Sequence, residues 1–145
     1  MKRLQDHRRV GWDMDGTLFQ HQNSEAFADF IRRNPYDQDF YIVTFRSHGI
    51  EKEVEPDLAT LGLKLSDFKG ILNVPDRIYA EYWFAMKHWF TGDTMPEEVD
   101  RYLTWKGKIC RQNGITILLD DLTSLVEIGC ERHSVDMIHP NDLEV

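Results

Sequence analysis

The chain has little that would tie it to a membrane, a disulfide framework or a nucleic-acid duplex. Apolar runs such as ILL at 117–119 and YIV at 41–43 fall far short of the roughly 18 residues that a membrane-crossing helix needs. The basic opening MKRLQDHRRV is not followed by the apolar stretch of about 7 to 15 residues that a secretory signal requires, so a cytoplasmic location is expected. Only two cysteines are present, Cys110 and Cys130. They make neither a disulfide framework nor a CxxC metal site, and each falls within an expected helix as a small core residue. No Lys/Arg cluster occurs beyond the first nine residues, and the formal net charge is −8. The long-range field therefore repels a polyanion, which argues against an extended duplex as partner. Internal repeats, low-complexity tracts and Ser/Gly linkers are also missing.

What remains is a chain of 145 residues with 41% hydrophobic content, enough for one core and too short for two ordinary domains. A single domain over residues 1–145 is expected. RRVGWD at 8–13 reads as a strand that ends at an acidic group. SEAFADFIRR at 24–33 carries Ala26, Phe27, Phe30 and Ile31 at helical spacing behind Ser24 as N-cap. DFYIVT at 39–44 reads as a second strand, 50–62 as a helical segment that Pro56 starts or interrupts, and KGILNVP at 69–75 as a short third strand. Residues 96–113 follow Thr94 as a cap candidate, open with Pro96, Glu97 and Glu98, and stop at Asn113–Gly114, which predicts a helix. ITILLD at 115–120, LTSLVEIGC at 122–130 and SVDMIH at 134–139 add a strand, a helix and a last strand. Such alternation implies an α/β fold, a doubly wound parallel sheet with helices on both faces. One passage resists this scheme: YAEYWFAMKHWF at 79–90 has aromatic residues on nearly every helical face. Either it is a helix wedged against the core or it forms a wall over a site. A small insertion around 76–95 would contain it.

In an open parallel sheet, ligands bind beyond the carboxyl ends of the strands. Three of the expected strands end in chemically loaded residues: Asp13 and Asp15, then Thr44, then Asp120 and Asp121. Asp13 and Asp15 are spaced so that both project to one side of an extended backbone, and Gly16 permits a sharp turn after them. One carboxylate can attack while the other handles the proton. Asp120 and Asp121, adjacent at the end of a buried strand, are costly to hold near Asp13 without a cation. Mg²⁺ suits such oxygen donors. Asp121 is the preferred direct ligand, with Asp120 as an alternative.

Asp13, Met14, Asp15, Gly16 and Thr17 resemble the DxDGT motif of the haloacid dehalogenase superfamily, and FYIVTFRS and ITILLDDLTS resemble that family's second and fourth motifs. The resemblance spans roughly residues 8–139. It implies a HAD-like, Rossmann-type core with minimal or no cap, and a phosphatase that requires Mg²⁺. By it Asp13 is a nucleophile forming an aspartyl-phosphate, Asp15 the general acid/base, and Thr44 a phosphate ligand, with Met14 and Phe45 also at the phosphate. Asp13, Asp15, Asp121 and Asp120 form the metal set, and Arg46 and Ser47 are neighbours. The family's third motif asks only for a basic residue. Lys106 and Lys108 are about 200° apart on a helix, so only one can face the site, and Lys106 is preferred.

The short chain between Thr17 and Ser24 leaves no room for a large cap there, so an open site is expected. A looser likeness to the 3′-phosphatase domain of phage-type polynucleotide kinases and to small nucleotidases suggests nucleotides or short 3′-phosphorylated oligonucleotides as substrates. Trp83, Phe84 and Trp89 offer stacking surfaces, although core packing is their expected use. Two rivals stand beside this reading: a binding or regulatory protein without turnover, and a phosphotransferase to an acceptor other than water.

Overall fold

A computed structural model describes residues 3–47, 53–89 and 94–144. Five strands form one sheet: β1 (Arg9–Trp12), β2 (Asp39–Thr44), β3 (Gly70–Asn73), β4 (Ile117–Leu119) and β5 (Asp136–Ile138). Their order is β3-β2-β1-β4-β5, and every pairing is parallel. The helices are α1 (Ser24–Arg33), α2 (Val54–Thr60), α3 (Asp76–His88), α4 (Glu97–Gln112) and α5 (Thr123–Arg132).

Side chains alternate across a strand, and the strands use both faces. Val10, Trp12, Phe40, Ile42, Ile117 and Leu119 point into one core with Phe27, Phe30 and Ile31 of α1 and Val54 and Leu58 of α2. Val43 and Leu118 point the other way, into a second core with Tyr102, Trp105 and Cys110 of α4 and Val126 and Cys130 of α5. Ile78, Tyr79 and Tyr82 of α3 pack against that second core. Helices therefore cover both faces, as the alternating pattern predicts. Both cysteines are buried, and burial pushes the Cys110 thiol up, which keeps it neutral.

Several local expectations change. Ser24 is the first residue of α1 and not its cap; its hydroxyl accepts the His21 N–H at 2.9 Å while Asn23 holds the cap position. Thr94 does not cap α4, whose N-cap is Pro96. Pro56 sits in the first turn of α2, where a missing N–H costs nothing, so it starts the helix and does not break it. The beginning of the expected 50–62 segment, and Phe90 and the turn-like residues at 91–93, lie outside the described residues. Among the described residues no helix is long and apolar enough to cross a membrane.

The topology singles out one place. From β1 the chain winds outward through β2 to β3, then returns to lay β4 on the other side of β1 and β5 beyond it. The strand order reverses between β1 and β4, and in open parallel sheets ligands bind beyond the carboxyl ends of the strands at such a reversal.

Candidate active site

Asp13 directly follows β1 and Asp120 directly follows β4, held in register by the Asp13 N–H to Leu119 O bond at 2.9 Å. Lys106 reaches both carboxylates from α4. Its Nζ donates to Asp13 Oδ1 at 2.8 Å and to Asp120 Oδ2 at 2.6 Å. All three residues are buried, Lys106 and Asp120 completely. Lys108 is exposed, so the choice between the two lysines falls to Lys106.

Lys106 can enter because α4 and α5 cross at very close range. A Cβ on Gly107 would overlap the backbone carbonyl of Gly129, and one on Gly129 would lie 2.7 Å from Thr104 Cα. The two glycines bring the helices together and lay α4 over the strand ends. No sequence motif marks this crossing.

The turn after β1 places the other acidic groups. Gly16 adopts φ +81°, and a Cβ there would collide with the Asp121 carboxylate. The glycine thus serves the turn and leaves space for Asp121. Thr17, fully buried, donates to Asp13 Oδ2 at 3.2 Å or to Asp121 Oδ1 at 3.4 Å. One oxygen each from Asp13, Asp120 and Asp121 lies within 4.8 Å of the others. Asp120 spends Oδ2 on Lys106 and Oδ1 on the Leu122 N–H at 2.9 Å, which leaves the half-exposed Asp121 the freer donor.

Asp15 is arranged differently from the expected metal set. Its carboxylate, about half exposed, lies in the fork of Arg46, with Oδ1 accepting from Nη2 at 2.7 Å and Oδ2 from Nε at 3.0 Å. It is not part of the three-carboxylate cluster. Arg46 is itself buried and also donates from Nη1 to Asp57 at 2.6 Å and to Glu53 O at 2.9 Å. Asp15 and Asp57 raise the Arg46 pKa against the effect of its burial. The RS pair after Thr44 hinted at Arg46, but nothing in the sequence pointed to Asp57.

Thr44, buried at the end of β2, accepts the Arg46 N–H at 3.1 Å on Oγ1, and among the described residues its hydroxyl donates to no acceptor. The Phe45 ring lies under Lys106 Nζ, 4.4 Å from the centroid. The Met14 side chain is in the core, so only its backbone belongs to the turn, where its carbonyl accepts the Phe19 N–H at 2.8 Å. Asp13 is only 5% exposed, less open than the motif arrangement implies.

Charge sets the protonation of this cluster. Burial drives Asp13 up to about 8, and the nearby Asp120 adds to that, against the opposing pull of Lys106. Burial disfavours the Lys106 ammonium, but Asp13 and Asp120 outweigh it and raise its pKa. Without metal, Lys106 therefore stays charged and Asp13 holds a proton. Three carboxylates against one ammonium make a donor set that fits a hard divalent cation, which would displace that proton. The sequence matches no protein-family model and no curated protein.

Proposed function

We propose that this protein is a phosphomonoester hydrolase of haloacid dehalogenase type that works through an aspartyl-phosphate on Asp13 and depends on Mg²⁺. The observation that carries the reading is Lys106, fully buried and bonded to both Asp13 and Asp120 at the reversal of strand order. A lysine is costly to bury, and here it neutralises a carboxylate at the position where a nucleophile meets a phosphoryl dianion. The β3-β2-β1-β4-β5 order and the DxDGT turn after β1 support the same family.

Asp13 Oδ attacks phosphorus and the bond to the leaving-group oxygen breaks. Lys106 holds Asp13 and offsets the charge of the transferred group, while the Thr44 hydroxyl donates to a phosphoryl oxygen. By the family resemblance Asp15 is the group that protonates the departing oxygen and then takes a proton from the water that hydrolyses the acyl phosphate, for which its carboxylate has to leave the Arg46 fork that holds both its oxygens here. That water attacks phosphorus and returns Asp13 as a carboxylate. Asp13 and Asp121 are suited to hold the cation, with Asp120 behind them. When bound, it supplies the positive charge that lets an anionic nucleophile approach an anionic substrate.

Asp13→Asn keeps the shape and removes the nucleophile. It is expected to lower kcat on an aryl phosphate by at least three decades, about 4 kcal/mol, with an unchanged melting curve. EDTA should abolish the wild-type rate. Full turnover by Asp13→Asn, or in chelator, would overturn the proposal.

A further inference from the structure

Two kinds of side chain change places in this fold. Trp83 and Phe84, expected in the core, are 50% and 69% exposed, while Arg46, of a type that is seldom buried, is only 5% exposed. Its guanidinium lies between two carboxylates. The Nε and Nη2 edge is filled by Asp15. Nη1 donates to Asp57 Oδ2 at 2.6 Å and to Glu53 O at 2.9 Å. The rest of the residue is fixed as well, since its N–H donates to Thr44 Oγ1, its carbonyl accepts from Asn73 Nδ2 at 3.0 Å, and its Cζ lies 5.8 Å from the Phe19 ring centre.

The two acids are held differently. Asp57 belongs to α2 and its side chain is 26% exposed. The Asp15 side chain is 53% exposed, and among the described residues its carboxylate bonds to Arg46 alone. Asp15 is thus the partner that can swing away, and Asp57 the one that stays. A buried guanidinium that loses its last carboxylate becomes an uncompensated charge, which is strongly unfavourable. With Asp57 in place, Asp15 can leave the fork while Nη1 keeps its ion pair.

We propose that Asp57 is a positioning residue, the second counter-ion that keeps Arg46 paired and in place whenever Asp15 moves out of the fork. The proposal rests on the phosphatase reading for what Asp15 does once released. Asp57 then acts on the reaction only through Arg46 and Asp15.

A leaving group needs a proton donor in proportion to its basicity. Phenyl phosphate needs one, and dinitrophenyl phosphate departs unaided. Asp57→Asn keeps the size and removes the charge, so Asp15 stays trapped on Arg46. With Mg²⁺, its kcat/KM is expected to fall roughly tenfold or more on phenyl phosphate and less than about threefold on the dinitrophenyl ester. Asp57→Glu should retain both rates. Adding Arg46→Met to Asp57→Asn removes the trapping cation and should restore the rate on phenyl phosphate. Unchanged rates in Asp57→Asn, a loss shared equally by both esters, or a loss that Arg46→Met deepens would overturn the proposal. If Asp57→Asn does not fold, the double variant, which holds no unpaired buried cation, decides by the same phenyl phosphate rate. Exchange of the Arg46 Nε–H with water, followed by NMR on isotope-labelled protein, needs no turnover, because that proton is uncovered only when Asp15 is out. Asp57→Asn should slow it by about tenfold or more. Slowed exchange in a protein that hydrolyses neither ester would sink the phosphatase reading alone, and exchange as fast as in wild type would overturn the role of Asp57 even in an active phosphatase.

Discussion

Lys106 and Asp13 pull each other's protonation in ways that pH can reveal. Burial lifts Asp13 from its ordinary value of 3.8 to about 8, so the folded, metal-free protein holds a proton there that the unfolded chain gives up near pH 4. The stability from this group is full below about pH 3.8 and is lost as pH rises through about 8. A metal-free sample should therefore lose melting temperature between pH 5 and 8, and Mg²⁺ should restore it most at pH 8. Cation affinity, measured by calorimetry, should weaken by roughly tenfold per unit as pH falls below 8, because each ion must displace the Asp13 proton. An affinity flat from pH 6 to 8 would refute the protonated Asp13. Gly16 gives a second check. Ala at its φ of +81° is strained, and its Cβ would collide with Asp121, so Gly16→Ala should cut turnover at least a hundredfold, about 2.7 kcal/mol. Asp13 and Gly16 were readable from the sequence because a strand, two acids and a glycine have a local pattern. The clamp of Asp15 by Arg46, itself held by Asp57, was not, since Asp57 reaches Arg46 only by the packing of α2.

Among the elements, the crossing of α4 and α5 does the most to build the site. Gly107 adjoins Lys106 in sequence, and a methyl group there would force the two helices apart. Gly107→Ala should cost about 1 to 3 kcal/mol by overpacking and lower turnover as well, because Lys106 moves with its helix. A variant with normal stability and normal turnover would show that the crossing is looser than the structure places it. The strands and helices themselves were largely predictable from periodicity, since Phe27, Phe30 and Ile31 mark a helix face and Val10 and Trp12 a strand. The caps were less so. Ser24 and Thr94 have the right chemistry for an N-cap, but the Ser24 hydroxyl binds the preceding turn and α4 begins at Glu97 behind Pro96. The aromatic helix α3 was the element whose role composition could not settle. Its rings form a column on Tyr102 in the fold, and a contact between residues so far apart leaves no local trace in sequence.

For the whole molecule, the decisive feature is the return of the chain from β3 to β4. It brings Asp120 beside Asp13 across more than a hundred residues, and it allows one lysine from a crossing helix to serve both. The alternation of elements predicted the parallel sheet, and the loaded strand ends predicted the edge where Asp13, Thr44, Asp120 and Asp121 lie. The strand order itself depends on which faces the helices cover, a global property of packing. Part of the acidic charge that repels long polyanions converges on Asp13, Asp120 and Asp121, where the buried Lys106 offsets some of it. In the proposed mechanism Asp13 carries the phosphoryl group during turnover. Acid-quenching the Asp15→Asn variant with Mg²⁺ and an aryl phosphate, then locating the modification by mass spectrometry, tests it most directly. A phosphoryl group on Asp13 is the result expected, and a quenched protein phosphorylated at another residue or not at all would contradict it.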